Sequence, residues 1–170
     1  MQITTDVALR GPVWAEMLDL LVTDIFPRYW DLYALSISIG MMYDGQIENE
    51  DMAPSDYKEN PRLIPRNVLI QNKNKSLLDF MLQAAMITTK HVDFSEQQRL
   101  EIAFSSKTVE SFNPMHFLTK YANYGILKIK AAIGDASDVE LMQKLMEYLD
   151  DIYETGFDPT VDLELELDEE

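Results

Sequence analysis

The apolar positions of this chain fall into helical registers broken by proline, glycine and short polar runs. The most informative stretch is 113–134, NPMHFLTKYANYGILKIKAAIG. Asn113 is placed to cap a helix. Pro114 stands at the first helical position, where its missing N–H costs nothing, and Gly134 is a natural stop. Leu118, Ala122, Gly125, Ile129 and Ala132 share one face, while His116, Lys120, Asn123 and Lys130 share another. The pattern predicts the central helix of a bundle. Gly125 costs about 1 kcal/mol relative to alanine in mid-helix. Beside Ala122 it makes a notch of small residues that another backbone can approach closely.

The same reading extends along the chain. Residues 1–10 read as a loosely docked terminus. Gly11 and Pro12 open a helix in which Val13, Met17, Leu20, Leu21 and Ile25 share a face, and Pro27 ends it. A second helix, 31–43, is apolar nearly all round and should be deeply buried; Ser36, Ser38 and Gly40 leave room for a close neighbour. Asp44-Gly45 is a turn signal. Residues 44–66 read as a long acidic loop with Glu48, Glu50, Asp51, Asp56 and Glu59. Residues 66–72 read as either a short strand or a turn of helix. A third helix covers 76–90, with Leu77, Met81, Ala84, Ala85 and Thr88 in its stripe. Ser95 and Gln98 have the spacing of a capping box and start a fourth, and 105–112 links it to the central helix. A second capping box, Ser137 with Glu140, starts a last helix that carries Val139, Leu141, Met142, Leu145, Met146, Leu149 and Ile152 and closes at Gly156.

The fold class expected is therefore all-α, a compact bundle of five to six helices with one long acidic loop. A single domain should span 1–157, with an acidic tail at 158–170. In that tail Val161, Leu163, Leu165 and Leu167 alternate with acids in period two, the template of a strand. Free in water it should be mobile, since four alternating apolar residues cannot make a core. Bound, it suits addition to a partner's sheet edge.

Charge changes the picture more than composition does. The net charge is −16 over 170 residues. Residues 1–60 carry −8, residues 61–134 carry +5 and residues 135–170 carry −13. Non-specific nucleic-acid binding is driven by a basic surplus, so direct nucleic-acid binding is not expected. The chain has no cysteine, hence neither disulfide nor thiolate site. It has no apolar run long enough to span a membrane and no signal-peptide pattern, so a cytoplasmic location is expected.

Candidate chemistry is sparse. The two histidines, His91 and His116, lack the spacing of a zinc site. His91 with Asp93 is the only acid–base pairing that suggests itself. Glu48, Glu50 and Asp51 could gather a divalent cation weakly, without the pattern of an EF-hand loop. No P-loop, nucleophile elbow or kinase signature occurs. Phe117, Tyr121 and Tyr124 lie at i, i+4 and i+7 and read as core or groove lining. With Lys120, Lys128 and Lys130 nearby they also fit a base-stacking platform. Ten methionines suggest an adaptable core or partner groove. No cofactor and no catalytic residue is expected.

The order of landmarks, LYALSISIGMMYDG, IPRNVLIQN, LLDFMLQAAMITTKH and KYANYGILKI, resembles the DNA phosphorothioation-associated protein 4 family. These are small helical proteins of bacterial operons for sulfur-modification-based phage defence. The resemblance covers residues 30–133. It rests most on the late motif Tyr121, Ala122, Asn123, Gly125 and Ile126, with Lys120 where the family pattern has an acid. It implies a non-catalytic accessory or regulatory subunit that binds a larger nuclease or ATPase component of the same system. Candidate partner-binding residues are Tyr121 and Asn123 on the helix, and Leu163, Leu165 and Leu167 in the tail. A homo-oligomer is compatible with this reading. The alternative from charge alone is an acidic DNA mimic that occupies a nucleic-acid-binding channel.

Overall fold

The computed structural model describes residues 1–54, 60–105, 112–134 and 136–155. Among them the chain is mostly helical, with seven helices and one two-stranded sheet. The order is β1 (Val7–Leu9), α1 (Pro12–Leu21), α2 (Tyr29–Met42), a 3-10 turn (Asn49–Met52), β2 (Arg62–Ile64), α3 (Arg66–Leu69), α4 (Asn72–Thr88), α5 (Glu96–Phe104), α6 (Pro114–Ile133) and α7 (Asp138–Thr155).

The centre is the pair α2 and α6, which share the most extensive helix contact. It forms because each helix offers a glycine to the other's backbone. A Cβ on Gly40 would lie 2.0 Å from the carbonyl oxygen of Tyr121, and one on Gly125 would lie 1.9 Å from that of Ser36. No other residue fits at either crossing. The notch at Ala122 and Gly125 is thus filled by α2, and the all-round apolar α2 is buried as its composition requires.

Three local expectations are corrected and one left open is resolved. The N-terminal residues are docked, not loose: Val7 pairs with Ile64 and Leu9 with Arg62 in an antiparallel ladder, and Ile3, Val7 and Leu9 are buried. The long acidic loop carries both the 3-10 turn and β2. The short segment after Pro65 is helical, α3, and the strand lies just before it. Finally, α1 stops at Leu21, where Val22 turns extended and Thr23 takes a φ of 91°. The carbonyl of Leu21 then accepts from the N–H groups of Ile25 (3.1 Å) and Phe26 (2.9 Å), which satisfies a helix end that would otherwise be orphaned.

The caps expected at the starts of α5 and α6 form, at α7 the Glu140 half of the expected box is present, and the expected stop at Gly156 lies outside the described residues. Asn113 Oδ1 accepts from the N–H groups of Met115 and His116, both at 3.1 Å. Ser95 and Gln98 close a capping box, and Ser137 N–H donates to Glu140 at 3.1 Å. The α4–α5 hairpin is held by Arg99, whose guanidinium donates to the carbonyls of Thr89 (2.6 Å), Val92 (2.9 Å) and Phe94 (3.2 Å).

Candidate functional site

The motif on α6 faces inward. Tyr121 and Asn123 are both buried, so neither side chain is presented to a partner. The helical wheel puts Asn123 on a polar face, but at Asn123 that face is covered by α1 and the acidic loop. Asn123 Oδ1 accepts from Trp14 Nε1 on α1 at 2.9 Å. Its Nδ2 donates to the carbonyl of Ile47 at 3.1 Å and to Asn49 Oδ1 at 2.9 Å. Tyr121 donates its hydroxyl to Asp44 Oδ1 at 3.0 Å, and burial pushes its pKa up to about 12. Asp44 Oδ2 accepts from the backbone N–H of Lys90 at 2.9 Å. The motif therefore clamps the stretch 44–49 onto the bundle, and through Asp44 reaches the end of α4.

Both histidines serve this clamp. His116 Nε2 lies 3.3 Å from Glu48, which also takes the ammonium of Lys120 at 3.1 Å. His91 Nε2 lies 3.8 Å from Asp44. The proposed pairing of His91 with Asp93 does not form the organising contact here. Glu48 is already engaged by the Lys120 ammonium, with the His116 ring beside it, which opposes the idea that it gathers a cation. Among the described residues no group of three or more His, Asp or Glu is placed to hold a metal ion.

Lys128 is an anomaly on the same helix. It is 0% exposed. Its Nζ has no hydrogen-bond partner and lies 5.0 Å from the ring centre of Tyr43 and 5.3 Å from that of Tyr124. Tyr124 is thus occupied from within, which leaves no base-stacking platform among Tyr121, Tyr124 and these lysines. Next to Tyr43, a groove of about 460 Å³ opens between α6 and α7, lined among others by Lys144, Glu147, Tyr148 and Asp151.

The fold also presents large apolar side chains to solvent. On α7, Val139 and Tyr153 are 91% and 89% exposed, and Met142 and Met146 about half exposed. The spacing 139, 142, 146, 153 puts all four on one side of the helix. On the α4–α5 hairpin Leu77, Phe80, Ile87, Leu100 and Phe104 are exposed. The sequence reading gathered Val139, Met142 and Met146 with the leucines on one helix without dividing them by exposure. Seven apolar residues on one helix cover a wider arc than packing on α6 alone can bury. Only Leu141 and Leu145 are fully inside.

Leu163, Leu165 and Leu167, with the rest of the tail, lie outside the described residues. Among the described residues no helix is long and apolar enough to cross a membrane. No family model, curated protein or solved structure matches this chain.

Proposed function

We propose that this protein is a non-catalytic accessory or regulatory subunit that works by binding a larger protein, and that its setting is a bacterial anti-phage system with a nuclease or ATPase as that partner. One observation carries the binding role: large apolar side chains stand in solvent at helical spacing on α7, with a second set on α4–α5. Isolated apolar residues on a surface need no explanation, but clustered ones mark interaction sites. The defence setting is supported by the resemblance of residues 30–133 alone.

A DNA mimic would need its carboxylates free and spread over one folded face. Many of those in the described body are instead engaged: Glu16 with Lys130, Asp19 with Arg62, Asp31 with Arg28, Glu48 with Lys120 and Asp79 with Lys75. Deleting the gene from its native host and challenging with phage tests the setting. Co-purification at native expression tests the role. Unchanged protection together with a monomer that carries no larger subunit would refute the proposal. Release of the partner by unrelated duplex DNA would favour the mimic.

A further inference from the structure

α7 is an outer helix: its one extensive packing partner is α6. Its cross-section divides into three arcs. Leu141 and Leu145 are buried against the bundle. Val139, Met142, Met146 and Tyr153 form an exposed apolar arc. Glu140, Glu147, Asp150 and Glu154 follow on the solvent side of that arc, at helical spacing. The single basic residue of the helix, Lys144, lies on the far side of these acids, with its ammonium directed at the carbonyl of Ile133 (3.4 Å). Glu147 also lines the groove shared with Tyr43 and Tyr148.

We propose that α7 is the docking element, and that its occupant is a basic amphipathic helix of another protein. Apolar side chains of that helix cover Met142, Met146 and Tyr153, and its lysines or arginines lie along the carboxylate edge. One of them lies beside Glu147, at the edge of the groove. Charge decides against a second α7 as the occupant: two copies of the same acidic helix, packed on each other, would bring like charges into one rim. Methionine suits the task because its unbranched thioether adapts to a partner's shape. The inference rests on the accessory-subunit reading and names the surface and the chemistry of its partner.

The experiment uses the full chain and a defined probe, a labelled synthetic amphipathic helix of leucine and lysine, with a counterpart in which glutamate replaces lysine. The basic helix should bind and the acidic one should not. Met142→Ser combined with Met146→Ser should weaken binding about tenfold or more, with the circular-dichroism melt only slightly lowered because both side chains are about half exposed. Glu147→Gln with Asp150→Asn should weaken it and flatten its salt dependence. Phe80→Ser with Ile87→Ser, on the other apolar surface, should leave it unaltered. Equal binding by the methionine variant overturns the proposal. So does a dimer that this variant dissolves, which would make a second copy the occupant, and so does binding that appears only after residues 156–170 are removed. Failure here, with phage protection still lost on gene deletion, would discard this surface and leave the accessory role standing.

Discussion

Trp14 and Asn123 lie 109 positions apart and share a 2.9 Å hydrogen bond in the buried interior. The indole N–H has no solvent to turn to, so the asparagine amide is its designated acceptor. The same amide donates to Ile47 O and Asn49 Oδ1, so one side chain joins α1, α6 and the acidic stretch.

Replacing Asn123 should therefore cost more than an ordinary hydrogen bond. Asn123→Leu strands the Trp14 N–H and two loop acceptors, and each buried unsatisfied group costs about 1–3 kcal/mol. Loss of about 2–4 kcal/mol in urea unfolding is expected. Asn123→Asp keeps the acceptor for Trp14 but loses both donations. A loss below about 1 kcal/mol for the leucine variant would show that water replaces the lost contacts.

How much of this was legible in the sequence depends on what each residue touches. The α6 helix, its Asn113 and Pro114 start and its Gly125 notch follow from local chemistry and came through intact. Asn123 did not, because a helical wheel sorts residues by polarity, and a buried asparagine differs from an exposed one only in its distant partners, here Trp14 and Ile47. Val7 to Leu9 escaped for a related reason: three residues are too few to show alternation, and their partner strand lies past the acidic loop. On α7 the leucines and the methionines looked alike, although one set is buried and the other is wet. What separates them is how much surface α6 can cover.

The α2–α6 crossing gives a sharper test. Gly40→Ala and Gly125→Ala each drive a methyl group into a backbone carbonyl, at 2.0 Å and 1.9 Å. Gains in helix propensity of about 1 kcal/mol cannot offset such a clash. Each variant should lose about 1–3 kcal/mol or more as the helices separate. The double variant should lose less than the sum, since the first substitution opens the space that the second needs. Full additivity in thermal melts would mean that the two contacts relax independently.

Acid sensitivity should have a component at Asp79. Burial raises its pKa, but hydrogen bonds from Lys75 and from the N-terminal ammonium outweigh that and leave it below the ordinary 3.8. A carboxyl depressed in the folded state adds stability that is complete above its unfolded pKa and is lost as pH falls through the folded one. Asp79→Asn, or acetylation of the N-terminus that donates to Asp79 at 2.9 Å, should lower stability at neutral pH and flatten the fall below about pH 4. Unfolding curves at a series of acid pH values decide it. Parallel pH profiles for the wild type and Asp79→Asn would rule out this contribution.

Lys128 invites the opposite kind of change. Its ammonium is enclosed without a hydrogen-bond partner, and its compensation is the faces of Tyr43 and Tyr124 at 5.0 and 5.3 Å. A desolvated cation–π contact contributes about 2 kcal/mol. Removing an ammonium from water costs several kcal/mol even after the protein relaxes. The balance is against the charge. Lys128→Met keeps the chain length and apolar stem while removing the ammonium, so it should leave stability unchanged or raise it by about 1–3 kcal/mol. Lys128→Ala also deletes the stem that packs beside the tyrosines and should lower stability through the cavity it leaves. Denaturant unfolding of the two variants separates the terms. If the methionine variant instead loses more than about 1 kcal/mol, the two rings hold the ammonium better than the cation–π range allows, and the pair Tyr43 and Tyr124 is a stabilising element of the fold in its own right.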